Sequence, residues 1–324
     1  MDKFLYINSL LSTPNGLSNS KVAILQASIE FVAAFESPSS VVGEKGVLDE
    51  MRPMLSALRV NTCPAELEFR FASIMKILLR KSVNRDNIGK FGMSSIVQCI
   101  GRQQLIGSIA AAELGNVVLN ACFDSQNVML YLGENGLDPL LNLLRCPDTA
   151  VQASVLGALQ GICFTPAGKY SLRSKNEAIA KIMMFMISDN MTVRARAVGT
   201  VHNLSADPVA ITAIREQNNM SGIPMLISVL HDPSPELCHA AAGALQNLSR
   251  DNTARKIIAS IPEALPRLID LLFGSDVKCQ VRLCNVKFQI PLLITVLCML
   301  MFLAILLVCS LLLSGPLLTS WGPC

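Results

Sequence analysis

A phrase recurs along the chain at almost constant spacing: NVVLNAC around Asn120, VLGALQGIC around Gly161, AVGTVHNLS around Asn203 and AAGALQNLS around Asn247. The intervals between these positions are 41, 42 and 44 residues. Such a period belongs to stacked helical units, none of which can bury its apolar face alone. It constrains the fold more tightly than length does. A chain of 324 residues could hold two independent cores, but a fixed period spreads one elongated core over neighbouring units.

The clearest unit begins near Ile211, and its breakers divide it into three segments: a short helix ending near Asn218, a second opened by Pro224, and a third opened by Ser234 and Pro235. Ser234 can cap free backbone donors. Pro235 suits the first helical position, where its missing N–H would be unpaired anyway, and Glu236 complements the positive end of the dipole. Along this third helix Leu237, Ala240, Ala241, Ala244, Leu245 and Leu248 form one stripe at helical spacing. The preceding units repeat it with Val193, Arg196, Ala197, Thr200, Val201 and Leu204, and with Val151, Ser154, Val155, Ala158, Leu159 and Ile162. Gly157, Gly199 and Gly243 share one position in these helices, where each costs about 1 kcal/mol against Ala; close approach of helices is the expected compensation. Fainter copies in IAAAELGNVVLNAC, FRFASIMKILLRKS and AILQASIEFVAAF bring the count to about six units.

Composition agrees with helices in layers. Charged residues make up 16 % and aromatics 5 %, with one Trp. A net charge of +3, spread along the chain with no basic stripe, gives no argument for a nucleic-acid partner. The eleven Cys include no CxxC pair, and most sit in apolar helical phases, where a thiol packs as a small hydrophobe in a reducing compartment. The opening MDKFLYINSLL is interrupted by Asn8 and Ser9 and lacks the apolar core of a signal peptide.

Features that carry chemistry elsewhere do not assemble here. His231, Cys238 and His239 straddle a turn and point in different helical directions, unlike a metal-binding pair. There is no phosphate-binding glycine loop, no GxSxG elbow and no acid–base carboxylate pair. The expectation is a non-enzyme with no cofactor, no metal and no small-molecule substrate. The glycan-acceptor tripeptides at Asn190, Asn203, Asn219 and Asn247 read as coincidence in a cytoplasmic chain, two of them being the repeat motif itself.

The AAGALQNLS and AVGTVHNLS phrases, each closing a long third helix after two shorter ones, resemble the armadillo family over most of the chain. HEAT repeats, as two-helix units, fit less well. The resemblance implies an all-α, right-handed superhelical solenoid of armadillo-like three-helix repeats occupying 21–280, after an N-terminal segment 1–20. The first two repeats are degenerate and the last truncated.

In armadillo proteins the third helices line a concave groove, and the motif Asn holds the backbone of an extended peptide. Transferred by residue, this puts Asn120, Asn203 and Asn247 in a ladder that lacks its rung at Gly161. An Asn amide can both donate to and accept from such a backbone, although it can equally bond a neighbouring turn. Gln160, His202 and Gln246 precede the motif position, Arg250 follows Asn247 by three, and Phe123 and Phe164 hold the place of Arg250. Arg with Phe could grip a mixed apolar and acidic segment; a Phe there is also an ordinary core residue. Import adaptors of this family pair each Asn with a groove Trp, whereas the single Trp here is Trp321, far outside the repeats.

Residues 281–324 form an apolar tail. The 24 residues from Ile290 to Leu313 hold no charge and as a helix would span roughly 36 Å, enough to cross a bilayer. Lys278, Arg282 and Lys287 precede them, so insertion would keep the repeats in the cytoplasm. Cys279 and Cys284 would then lie beside the bilayer, within reach of reversible acylation. Two readings stand: a tail anchor, or an alternative-isoform end on a soluble scaffold. The functional expectation is a scaffold that binds a protein or peptide partner, with a membrane as a further partner. A co-chaperone cradling a client and a membrane adaptor are the alternatives.

Overall fold

Each helix begins with N–H groups that have no partner one turn earlier, and this chain supplies side-chain acceptors for them at regular intervals. The computed structural model describes residues 2–37, 48–86, 88–103, 109–175, 177–216 and 222–273. Across them run nineteen α-helices and one short 3-10 turn, with no strand among the described residues. Asp148, Asn190 and Ser234 cap the long helices Thr149–Ile162, Met191–Leu204 and Pro235–Leu248, with Pro235 at the first position of its helix. Asp124, Thr165 and Asp251 cap the shorter helices Ser125–Gly133, Pro166–Arg173 and Asn252–Ser260. The second helix of the best-defined unit is Gly222–Val229 and so starts before Pro224. Proline tolerates that place because the first turn needs no N–H from it.

The long helices stack on one another in sequence order: Ala65–Leu78 on Ala111–Ala121, then Thr149–Ile162, Met191–Leu204 and Pro235–Leu248. Most of the expected stripe is buried, with Leu237, Ala241, Ala244, Leu245 and Leu248 at 1 % exposure or less. Burial also reaches Leu156, Val198 and Ala242, outside the stripe. A third helix is covered by the shorter helices of its own unit and flanked by a third helix on either side, so a one-face pattern understates its contact. Arg196 and Ala240 are the half-buried exceptions. At the N-terminus, helix Asp2–Leu11 buries Phe4 and Ile7, and the Phe4 ring lies 6.0 Å from that of Phe31 in helix Lys21–Phe35.

The joints between units combine close contact with polar ties. A β-carbon on Gly115 would stand 2.9 Å from that of Ser154 on the next long helix, so no larger residue fits without moving one of them. Gly199 lies under the amide of Gln160, and a β-carbon on Gly157 would meet the Arg196 side chain at 3.4 Å. At these two positions the close approach is thus to a side chain of the neighbouring unit. Arg173–Asp207, Arg194–Asp232 and Arg215–Asp251 pair across joints at 2.8, 2.8 and 2.6 Å. Arg80 reaches back to the carbonyls of Phe35, Glu36 and Ser37.

The hydrophobic helix expected over Ile290 to Leu313 falls outside the described residues, as do Cys279 and Cys284. Among the described residues no helix is long and apolar enough to cross a membrane.

Cys63, Cys99, Cys122, Cys146, Cys163 and Cys238 are buried and free. Burial pushes the thiols of Cys63, Cys122 and Cys163 up to about 12 and that of Cys99 in the same direction. An unfolded chain would ionise these thiols from pH 9.0 upward, the ordinary value, while the folded chain keeps them neutral. Their contribution to stability is therefore complete below that pH and is lost as pH climbs towards about 12. The urea midpoint should fall as pH is raised from about 8 to about 10.5, and fall less in Cys122→Ala with Cys163→Ala. Equal slopes in the two proteins would refute this. Leu245→Ala should cost about 3 kcal/mol by opening a cavity between long helices, whereas Val22→Ala, at an 81 % exposed site, should cost below about 0.5 kcal/mol. Urea denaturation followed by far-UV circular dichroism checks both.

Candidate functional site

The last turn of a helix leaves carbonyls without an intrahelical donor, and two of the three motif asparagines reach back one unit to meet them. Asn120 Nδ2 donates to the Lys76 carbonyl at 2.8 Å, and Asn203 Nδ2 to the Gln160 carbonyl at 2.9 Å. Asn247 Nδ2 donates to Ser205 Oγ at 3.0 Å. The three half-buried amides therefore tie each unit to the one before. Their amide oxygens accept no hydrogen bond among the described residues. One half of each side chain thus holds the scaffold together, and the other half takes no part in these ties.

The remaining expected site residues lie beside them. Gln160, His202 and Gln246 are half-buried, and Arg250 is exposed just past the end of its helix. The carbonyls of His202 and Gln246 accept from the hydroxyls of Ser205 and Ser249 at 2.7 Å each. These two contacts are equivalent in consecutive units.

At the missing rung the face opens. A β-carbon on Gly161 would find only Leu119 Cδ1 within 4 Å, at 3.7 Å. A cavity of about 590 Å³ lies there between helices Ala111–Ala121, Thr149–Ile162 and Met191–Leu204. Its floor includes Leu119, Gly157 and Gly161, and its border includes Gln160, Arg196 and Asn203. Phe123 and Phe164 flank it at 72 % and 79 % exposure. The motif position plus three is thus an exposed wall in both units, which rules out the core reading of these phenylalanines. No heptad or stripe argument finds them, because the helix has ended before they occur.

The charges here lean positive. The Asp124 carboxylate is engaged by the N–H groups of Gln126 and Asn127 at 2.8 and 3.1 Å. Thr165 similarly accepts from Gly168 N–H. Arg196 donates to Gln160 Oε1 at 3.2 Å and forms no ion pair among the described residues. The Arg85 guanidinium sits 5.9 Å from the centre of the Phe123 ring. Cys122, the one thiol on the cavity wall, is held neutral by burial, so it offers neither a nucleophile nor a metal ligand at ordinary pH.

The residues that looked metal-like are engaged locally. The Cys238 thiol donates to the carbonyls of Leu230 and Asp232 at 3.4 and 3.2 Å, and His231 Nδ1, in the turn after helix Gly222–Val229, lies 3.3 Å from the Ile227 carbonyl of that helix. Asn190 serves as a helix cap. A second periodic row escaped the sequence reading: Asp124, Thr165, Asp207 and Asp251 all stand four residues after the motif position and accept N–H groups of the next helix. The signal was present as an Asp or Thr at fixed offset.

Comparison with known proteins gives these observations a fold and one matched repeat. The armadillo/beta-catenin-like repeat model matches residues 214–250. An engineered protein solved by a structural genomics consortium is 18 % identical with a TM-score of 0.66, over 74 % of this chain and 97 % of that one. A designed armadillo repeat protein in complex with the peptide (KR)4 is 16 % identical with a TM-score of 0.65, over 74 % and 99 %. A chain from work on a phosphorylation switch controlling the interaction between cadherin and beta-catenin is 14 % identical with a TM-score of 0.72, over 89 % and 60 %. At these identities the structural likeness is one of fold. Residues 214–250 thus match the armadillo repeat, and the described helices around them have the armadillo fold.

Proposed function

We propose that this chain is a non-catalytic scaffold that holds an extended segment of a partner protein along the exposed face of its third helices. The observation that carries the reading is the row formed by Asn120, Asn203 and Asn247, each with its amide nitrogen used within the solenoid and its amide oxygen left over. An extended chain presents unpaired backbone N–H groups, and oxygens repeated once per unit meet that need without reading side chains. Gln246, His202 and Arg250 border the row and would supply side-chain contacts. The designed armadillo repeat protein of the same fold is in complex with the peptide (KR)4, which supports a peptide as the kind of partner. The partner of this chain should differ in charge, since Arg196 and Arg250 lie along the face and Asp124 is already engaged.

The test is selection of random peptides of about sixteen residues against the full chain, followed by titration of the synthetic winners. Each Asn contributes a hydrogen bond of about 1 kcal/mol, so Asn203→Ala with Asn247→Ala should weaken binding by roughly 10- to 30-fold. The same pair should lower stability by about 2 kcal/mol through the lost ties, which thermal unfolding measures separately. Peptides that bind the double variant as tightly as the parent would sink the groove reading. Preference for unfolded clients over any short peptide would favour a co-chaperone instead.

The uncharged run from Ile290 to Leu313 supports a second element, a cytoplasmic scaffold tethered by its tail. A glycan-acceptor tag at the C-terminus should be modified in the full chain and not in a 1–280 truncation. An unmodified full chain that alkaline treatment extracts would leave the tail as a non-anchoring end.

A further inference from the structure

The groove reading treats every rung alike, yet the rung at Gly161 is absent and a cavity stands in its place. We propose that this cavity is a side-chain pocket that anchors one aromatic residue of the bound segment, with a carboxylate two residues away held by Arg196. The inference rests on the groove reading and adds to it the chemical class of the partner.

Size and lining argue for the aromatic. A volume of about 590 Å³ is more than an aliphatic side chain needs, and it is flanked by two phenyl rings at 72 % and 79 % exposure. Such exposure of large apolar surface is costly unless it is covered by a partner. Rings that meet edge to face add to the gain from burial. The floor is open for the same reason that the rung is missing: Gly157 and Gly161 carry no side chains, and only Leu119 approaches. An Asn at position 161 would project into this space.

Charge argues for the acid. Arg196 borders the cavity, is half-buried and forms no ion pair among the described residues, where its side chain's one hydrogen bond is to the neutral Gln160. Asp124, the carboxylate lining the cavity, caps the next helix through Oδ1, which accepts two backbone N–H groups, and it makes no ion pair with Arg196. A guanidinium held in a partly desolvated site favours a planar carboxylate as its partner. In an extended segment, residues two apart project on the same side about 7 Å from one another. An aromatic and an acid at that spacing can therefore engage the pocket and Arg196 together.

The test uses a fluorescein-labelled peptide of about ten glycines and serines carrying one phenylalanine with a glutamate two positions to either side. Its binding to the full chain is followed by anisotropy up to about 1 mM. Replacing the phenylalanine by alanine, or the glutamates by lysines, should each weaken binding by roughly 10-fold or more. Gly161→Asn should do the same without lowering the melting temperature, since the site has room for the new side chain. Phe164→Ala, at an exposed position, provides the second variant and should also weaken binding. Arg196→Gln should erase the preference for glutamate over glutamine to within about 2-fold yet keep the preference for phenylalanine. Absence of binding by the parent peptide, or binding indifferent to Gly161→Asn and Phe164→Ala, overturns the pocket. If selected peptides still lose affinity on Asn247→Ala, a residue outside the cavity, then the pocket has failed and the groove has not.

Discussion

The stacking of each long helix on the one before it is the contact on which everything else depends. Its polar component has a characteristic reach: Asn120 to Lys76, Asn203 to Gln160, Thr200 to Leu156 and Arg267 to Leu230 all span about one unit. Contacts of this length join neighbours and nobody further away. Stability then accumulates joint by joint, and the face built from the long helices inherits its spacing from those joints. Residues that look functional in sequence are therefore also structural, as the divided amides of the motif asparagines show.

Much of this was legible beforehand, and the reasons are physical. A third helix is long, carries a stripe at helical spacing and is opened by Ser234–Pro235, so periodicity and capping both identify it. The repeat phrase disclosed the fold because small residues recur where helices crowd. Less legible was anything that depends on neighbours. The burial of Leu156, Val198 and Ala242 arises from flanking units that a single helix pattern does not contain. Gly222 starts a helix ahead of Pro224 because a first turn tolerates proline in more than one place. Phe4 and Ile7 join the core although their segment has no repeat signature.

The candidate site divides in the same manner. Asn120, Asn203 and Asn247 could be named from the motif, but which half of each amide is spent on the scaffold follows only from the position of the preceding helix end. Phe123 and Phe164 could be named from their offset, yet sequence favoured the core for them, and the structure exposes both. Arg196 looked like an irregularity in an apolar stripe. Its place beside Gly157 and Gln160 makes it a border of the cavity, and the departure from the motif at Gly161 becomes the cause of an opening.

Gly115 gives that opening a further property. The helix bearing it rests so closely on Ser154 that the two long helices flanking the cavity have a fixed separation. Phe123 and Phe164 extend from the ends of those same helices, so the gap between their backbones is a dimension of the joint. Rotation of the side chains cannot change it. A ligand of the wrong thickness would have to tilt one unit against the next, and every unit beyond would swing with it. Fit at this one place and the pitch of the whole solenoid are mechanically the same variable.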